Sequence, residues 1–232
     1  LFLVNSVLVQ TFYRLYAIRN FAECKYQFTR NKSLYKQLLG YSGWDLFGNL
    51  AVVCQGQGVN ILLNVFFGPI VNAARAIAFQ IQGAVMQFVS NFMTAVRPQV
   101  IKNYAEGNVE RMYSLTFYTA KFSYMLMLAL VVPICCEIKF ILHLWLGDEA
   151  PEETALFAVL VLVTYTWRTF HIAALMPYHA IGKIKTGNIT IGSLMIATLP
   201  IGYLLFSIGL PAFTVFIAIF VVEIIGMFAI YW

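Results

Sequence analysis

The side chains able to do chemistry in this 232-residue sequence are few, and many of them are amides. Asn49, Gln55, Gln57, Asn60 and Asn64 fall in one apolar stretch, and Gln80, Gln82, Gln87, Ser90, Asn91 and Thr94 fall in the next. Asn49, Val53, Gln57, Asn60 and Asn64 are spaced four, four, three and four apart, which stacks them on one face of a helix. Asn72, Ala76, Gln80, Gln87, Asn91 and Thr94 share a face in the same way. Rows of amides donate and accept hydrogen bonds, and perform no covalent step. Three arginines add charge. Arg75 and Arg97 are 22 residues apart, about 33 Å along a helix, so they bracket one apolar span at its two interfaces and can snorkel. Arg168 falls in the middle of another, with His171 on its face. Placing an arginine there costs at least about 2.5–3.5 kcal/mol, and no acid lies at three or four residues to either side. Glu223 is the one deep acid. Arg168 therefore either pairs with Glu223 or waits in a cavity for an anionic ligand.

Other chemistry is thinly represented. No HExxH, GxxxxGK or GxSxG pattern occurs, and Gly56-Gln-Gly58 follows no strand, so it reads as close helix packing or a kink. Cys24, Cys54, Cys135 and Cys136 show neither a CxxC pair nor ligand spacing, and act as small apolar fillers. No catalytic residue, metal or cofactor is expected.

The elements that must hold these residues follow from composition. Hydrophobic residues make up 61%, charged residues 11%, and mean hydropathy is +0.78, against about 25% charged residues in soluble domains. That excludes a disordered chain, a collagen and an ordinary soluble enzyme. A crossing helix needs roughly 20 apolar residues. Seven segments qualify: about 1–18 (truncated), 44–67, 72–97, 113–136, 154–179, 186–207 and 210–232. Gly68-Pro69, Gly107-Asn108, Gly147 to Pro151 and Gly209 to Pro211 break them. Ser42 with Asp45 reads as a capping box, Asn72 as an N-cap, and Pro151 with Glu152 and Glu153 as a first turn. No alternating strand pattern appears. The start at Leu1, inside an apolar run without a basic flank, and the end at Trp232 suggest a piece of a longer protein with no signal peptide.

The net charge of +5 matters less than its placement. With alternating spans, twelve of the 15 basic residues fall on one side: Arg14, Arg19, Lys25, Arg30, Lys32, Lys36, Arg97, Lys102, Arg111, Lys121, Lys183 and Lys185. The other side has Arg75 and Lys139 with the acids Glu137, Asp148, Glu149, Glu152 and Glu153. The positive-inside rule puts the N-terminal end outside, residues 19–43 in the cytoplasm and the C-terminal end in the cytoplasm. Residues 137–146 are too short to span and should lie along the outer interface, with Trp145 at headgroup depth and His143 beside it. The two amide stripes must face the bundle interior or a wet cavity, because unpaired polar groups in hydrocarbon are costly. Bonding helix to helix is the alternative, at about 0.6 kcal/mol per bond. Roughly ten amides on two consecutive spans exceed what such packing calls for.

The stretch Gly43-Trp44-Asp45-Leu46-Phe47-Gly48, followed by Gln57-Gly58-Val59-Asn60-Ile61-Leu62-Leu63-Asn64-Val65-Phe66-Phe67-Gly68-Pro69, resembles the seventh helix of Wzx-type polysaccharide flippases. Val71-Asn72-Ala73-Ala74-Arg75-Ala76-Ile77-Ala78, Val89-Ser90-Asn91-Phe92, Arg97-Pro98-Gln99-Val100, Lys102 and Tyr104-Ala105-Glu106-Gly107 resemble the eighth helix and its cytoplasmic exit. Trp145-Leu146-Gly147 and Gly182-Lys183-Ile184-Lys185 are similar to later landmarks. The resemblance implies the multidrug/oligosaccharidyl-lipid/polysaccharide exporter superfamily, with two six-helix lobes rocking about a central cavity in the bacterial inner membrane. Residues 1–18 would then end the first lobe, 19–43 would be the basic lobe linker, and 44–232 a six-helix, MATE-like second lobe. The implied substrate is an oligosaccharide on undecaprenyl pyrophosphate, flipped by alternating access. The implied partners are that lipid-linked oligosaccharide, the bilayer and the first lobe, with no nucleic acid. Arg75, Asn60, Asn64, Gln80, Gln87 and Asn91 would line the substrate path. Arg168 joins them on burial cost alone, and Asp45 and Arg97 mark the cytoplasmic interface. A MATE-type cation exporter is the nearest rival, but it should show cavity carboxylates. A membrane enzyme of polysaccharide assembly is a third reading, and the outer connection 137–153 offers no catalytic spacing for it.

Overall fold

A computed structural model describes residues 2–21, 31–182 and 185–231. Among these residues all regular structure is helical. The helices are α1 (Phe2–Asn20), α2 (Lys32–Phe67), α3 (Pro69–Ala105), α4 (Val109–Cys136), α5 (Ile138–Leu146), α6 (Thr154–Ala174), α7 (Met176–Ile181), α8 (Lys185–Ser207) and α9 (Thr214–Tyr231), with a 3-10 turn at Gly147–Glu149. The chain divides into two compact units, Leu1–Leu39 and Gly40–Trp232. In the first, α1 leaves Val4, Leu8, Phe12 and Leu15 exposed. Lys25, Arg30, Cys24 and Lys183 lie outside the described residues.

The second unit carries the amides. Within it α3, α4 and α6 pack on one another, α8 packs on α9, and α9 also meets α6. One core forms around Leu63, Ala74, Ala78, Phe157, Val215 and Phe216. Another forms around Val89, Val100, Met112, Met127 and Leu162. The outer faces are also apolar: Ile61, Val65, Phe117, Leu204 and Phe228 are all exposed. A contiguous apolar exterior of this kind suits lipid rather than water.

Among the described residues, four helices are long and apolar enough to cross a membrane: Lys32–Phe67, Val109–Cys136, Thr154–Ile181 (α6 with α7) and Lys185–Ser207. Of the other expected spans, Thr214–Ala229 is apolar but shorter. The segment 1–18 carries Arg14, with Arg19 just beyond it, and 72–97 is diluted by its own amides. The expected count of about seven is thus met by four on length and composition.

Three helix starts differ from expectation. The helix α2 begins at Lys32, so Ser42 and Asp45 are interior and form no capping box. Asn31 does the capping: its Oδ1 accepts from the backbone N–H of Ser33 at 3.0 Å and of Leu34 at 3.3 Å. The helix α3 starts at Pro69, after Gly68 with φ of 83°. Proline suits a first helical position and glycine alone tolerates that backbone without strain, so Asn72 falls inside the helix instead of capping it. Pro151 to Glu153 form a turn before α6, closed by the Thr154 N–H to the Pro151 carbonyl at 3.0 Å. Asn108 caps α4 by accepting from the Arg111 N–H at 3.1 Å. Segment 137–146 is the short helix α5, with Ile138 and Leu142 buried and Phe140, Leu144 and Trp145 exposed.

Candidate functional site

Gly68-Pro69 folds α2 back along α3, which brings residues about equally far from the turn to the same level. Asn60 lies eight residues before Gly68 and Arg75 seven after it. The Arg75 guanidinium donates from Nη1 to Asn60 Oδ1, and from Nη2 to the Gly56 carbonyl at 3.1 Å. Its Cζ stands 4.5 Å from the centroid of the Phe79 ring. Asn60 in turn donates to Gln57 Oε1 at 3.3 Å. Arg75 is buried, so this cation is held inside the α2–α3 hairpin by two acceptors and an aromatic face, which suits a guanidinium better than an ammonium.

The amide stripes lie outside this hairpin core. Asn49, Gln57 and Asn64 on α2 and Gln80, Gln87, Asn91 and Thr94 on α3 are exposed, whereas Val59, Leu63, Ala74, Ala78, Val85 and Val89 of the same helices are buried. Each helix therefore buries part of its apolar surface in the cores and exposes its amides, with apolar residues such as Ile61, Val65 and Phe88 exposed beside them. Gln87 Nε2 donates to Asn91 Oδ1 at 3.0 Å, and Asn49 donates to Asp45 at 3.2 Å. Asp45 is half-buried and Arg97 exposed, and both lie within electrostatic reach of His179 on α7.

Arg168 takes the first of the two courses open to it. Its Nη1 lies 3.4 Å from Glu223 Oε1 on α9, with side-chain exposures of 18% and 7%. Its Cζ is 5.4 Å from the centroid of the Tyr165 ring. Tyr165 also meets Phe79 edge-on, at 6.2 Å between ring centroids. Arg75, Phe79, Tyr165 and Arg168 thus form a run of cation, ring, ring and cation across α3 and α6.

Of the residues expected to line a path, the structure brings Arg75 to Asn60 and Gln87 to Asn91. It places Asn64 and Gln80 on the exposed stripes, and it turns both arginines to partners within the chain. Some polar groups do serve as helix-to-helix bonds. Buried Gln55 donates to Thr198 Oγ1 at 3.0 Å, and Asn188 donates to the Trp44 carbonyl at 2.9 Å, both joining α2 to α8. Gln55 lies off the stripe, two residues from Gln57, and that offset was the sequence signal for its different role. Phe79 and Tyr165 carried no such signal, because aromatic residues are frequent throughout the chain.

Fold and composition together define a chain whose described residues are all-helical in their regular structure, with four helices of membrane-crossing length and an exposed amide face. The sequence matches no family model and no curated protein, and the fold matches no solved structure.

Proposed function

We propose that the protein is part of a flippase that moves polyprenyl-pyrophosphate-linked oligosaccharides across the bacterial inner membrane by alternating access. The observation that carries this reading is the pair of exposed amide stripes on α2 and α3, set outside an apolar core in a chain whose remaining exterior suits lipid. Amides left bare to hydrocarbon would each cost free energy, so this face needs water or an opposing polar wall. A wet, amide-lined path fits a sugar headgroup, which offers many hydroxyls and no charge. The pyrophosphate needs cations, and Arg168 and Arg75 are the deep ones. In this arrangement both are occupied, so they would receive the pyrophosphate in another state of the cycle. The six helices from α2 onward, α5 and α7 aside, would then form one lobe against a second. The rival cation exporter would want carboxylates on the exposed stripes, and Asp45 at one end is the sole acid there among the described residues.

The test is translocation of a radiolabelled lipid-linked oligosaccharide in vesicles holding the full-length parent protein. Gln80→Leu, Gln87→Leu and Asn91→Leu combined should abolish transport without lowering insertion. Undiminished transport by that variant would remove the amide face from the path.

A further inference from the structure

The helices α4 and α9 both pack on α6 and leave a groove of about 360 Å³ between them. Tyr124, Leu128, Val132 and Cys136 of α4 line one wall. They are spaced four apart, so they share one helical face. Val163 and Trp167 of α6, again four apart, and Phe220 of α9 line much of the rest. Val132 is 54% exposed and Val163 44%, so the groove opens on the exterior of the bundle. No lining residue is charged. Thr166, also in the lining, donates its hydroxyl to the Leu162 carbonyl at 2.8 Å. The Trp167 indole nitrogen is itself buried, so that ring meets the open groove through its carbons. A sugar or an ion would find few polar groups here to fix it.

The groove also has a direction. From Tyr124 to Cys136 is about 18 Å along α4. Cys136 ends that helix, and Glu137, Lys139 and the short helix α5 follow at once, with Trp145 exposed. Charged residues and an exposed tryptophan mark a membrane surface. Tyr124 therefore lies near the middle of the bilayer, since one leaflet of the hydrocarbon core is about 15 Å deep. We propose that the groove binds one hydrocarbon tail of a membrane phospholipid, which enters beside Cys136 and ends against Tyr124 and Trp167. Three features select this occupant: the lining is apolar, the opening faces lipid, and the length is that of one leaflet. An undecaprenyl chain would overfill it. An empty groove would forfeit the dispersion contacts of its lining atoms, and packing of that kind is what holds membrane helices together. The site rests on the membrane character of these helices and not on the flippase reading.

Photolabelling with tail-tagged lipid tests this. The full-length protein is placed in nanodiscs of phosphatidylethanolamine and phosphatidylglycerol, doped with a phosphatidylcholine that carries a diazirine on one tail. Light expels N2, the carbene inserts into a neighbouring C–H bond, and mass spectrometry maps the adduct. A diazirine at the far end of the tail should label the peptides of Tyr124 and Trp167, and one next to the ester should label that of Val132 and Cys136. Labelling there should exceed that at Leu204, exposed on α8, by at least about fivefold, because a groove contacts the tail on several sides and a flat face on one. Val132→Trp and Val163→Phe add bulk into open space, so they fill the groove without overpacking the core. Each should lower the labelling to the level at Leu204, whereas Ile201→Trp, exposed on α8, should leave it unchanged. Equal labelling of the groove and Leu204 would overturn the proposal, because the contact would then be with bulk lipid only. Labelling that survives both filling variants would overturn it too. So would an unlabelled groove beside a labelled Leu204, since protein would then cover the site. Excess polyprenyl phosphate should not compete, and loss of the adducts to it would give the groove to that chain and reject the phospholipid.

Discussion

At the scale of single residues, Arg75 decides how the α2–α3 hairpin is held. Its guanidinium satisfies Asn60 and the Gly56 carbonyl and covers Phe79. Removing the acceptor while keeping the buried cation should hurt more than removing both. Asn60→Leu should therefore destabilise by about 1–3 kcal/mol, and Arg75→Met with Asn60→Leu should recover most of the loss. Thermal unfolding in detergent, read as a double-mutant cycle, measures the coupling. Additive losses would mean that the two side chains act independently. For Arg168 the corresponding control is transport. If its pairing with Glu223 is purely structural, Arg168→Gln with Glu223→Gln should transport as well as wild type. The pyrophosphate role proposed for Arg168 expects that double variant to be impaired. Much of this scale was legible in the sequence. Glu223 was identified as the one acid deep enough for Arg168, and Asn60 and Arg75 flank Gly68-Pro69 almost symmetrically. The hydrogen bond between Asn60 and Arg75 was not foreseen, because the stripe pattern grouped Asn60 with Gln57 and Asn64 on one face lining a cavity. Side-chain reach, not helical spacing, turned it inward.

At the scale of helices, close approach governs the contact between α2 and α8. A Cβ at Gly58 would run into Leu199 Cδ2, and one at Gly192 would lie 2.8 Å from Phe47 Cε1 and 3.2 Å from Ala51 Cβ. Small residues of this kind let membrane helices pack closely and bring Gln55 within reach of Thr198. Gly58→Leu should destabilise the bundle by about 1–3 kcal/mol through overpacking, and Leu199→Ala should suppress most of that loss. Chemical unfolding of the single and double variants checks it, and a neutral Gly58→Leu would place the two helices farther apart. The sequence reading of Gly56-Gln-Gly58 as a packing feature agrees with this contact at Gly58. Helix starts were harder to read. Ser42 with Asp45 had the spacing of a capping box, yet Asn31 caps the same helix from eleven residues upstream. A cap motif offers only a local bond, and the helix continues through it wherever the residues before it are also good helix formers. Leu34 to Leu39 supply such residues, and α2 runs on through Gly40, whose cost of about 1 kcal/mol against alanine is not enough to end it.

At the scale of the whole molecule, composition alone identified a helical membrane-type chain, since so few charges and so much apolar surface fit little else. Periodicity grouped the amides of α2 and of α3 on one face each and expected those faces to meet the bundle interior or a wet cavity; in the structure they are exposed, away from the two cores. Orientation rests on the placement of basic residues. It predicts that an impermeant thiol reagent added outside intact cells reaches Cys136, which is exposed at the end of α4. Labelling only after the inner face is opened would reverse the topology.

The central claim is that the α2–α3 amide face borders water and not lipid. Single cysteines at Asn64, Gln80, Gln87 and Asn91, in a background with the native cysteines replaced, test it directly against controls at Ile61, Val65 and Phe88, apolar residues of the same helices that are also exposed. A charged methanethiosulfonate reagent reacts with a thiolate, and thiolates form only where water reaches. The account predicts fast modification at the four amide positions, slow modification at the three apolar ones, and protection of the four by lipid-linked oligosaccharide. Equal, slow modification at all seven positions would place the amide face in lipid and contradict the account.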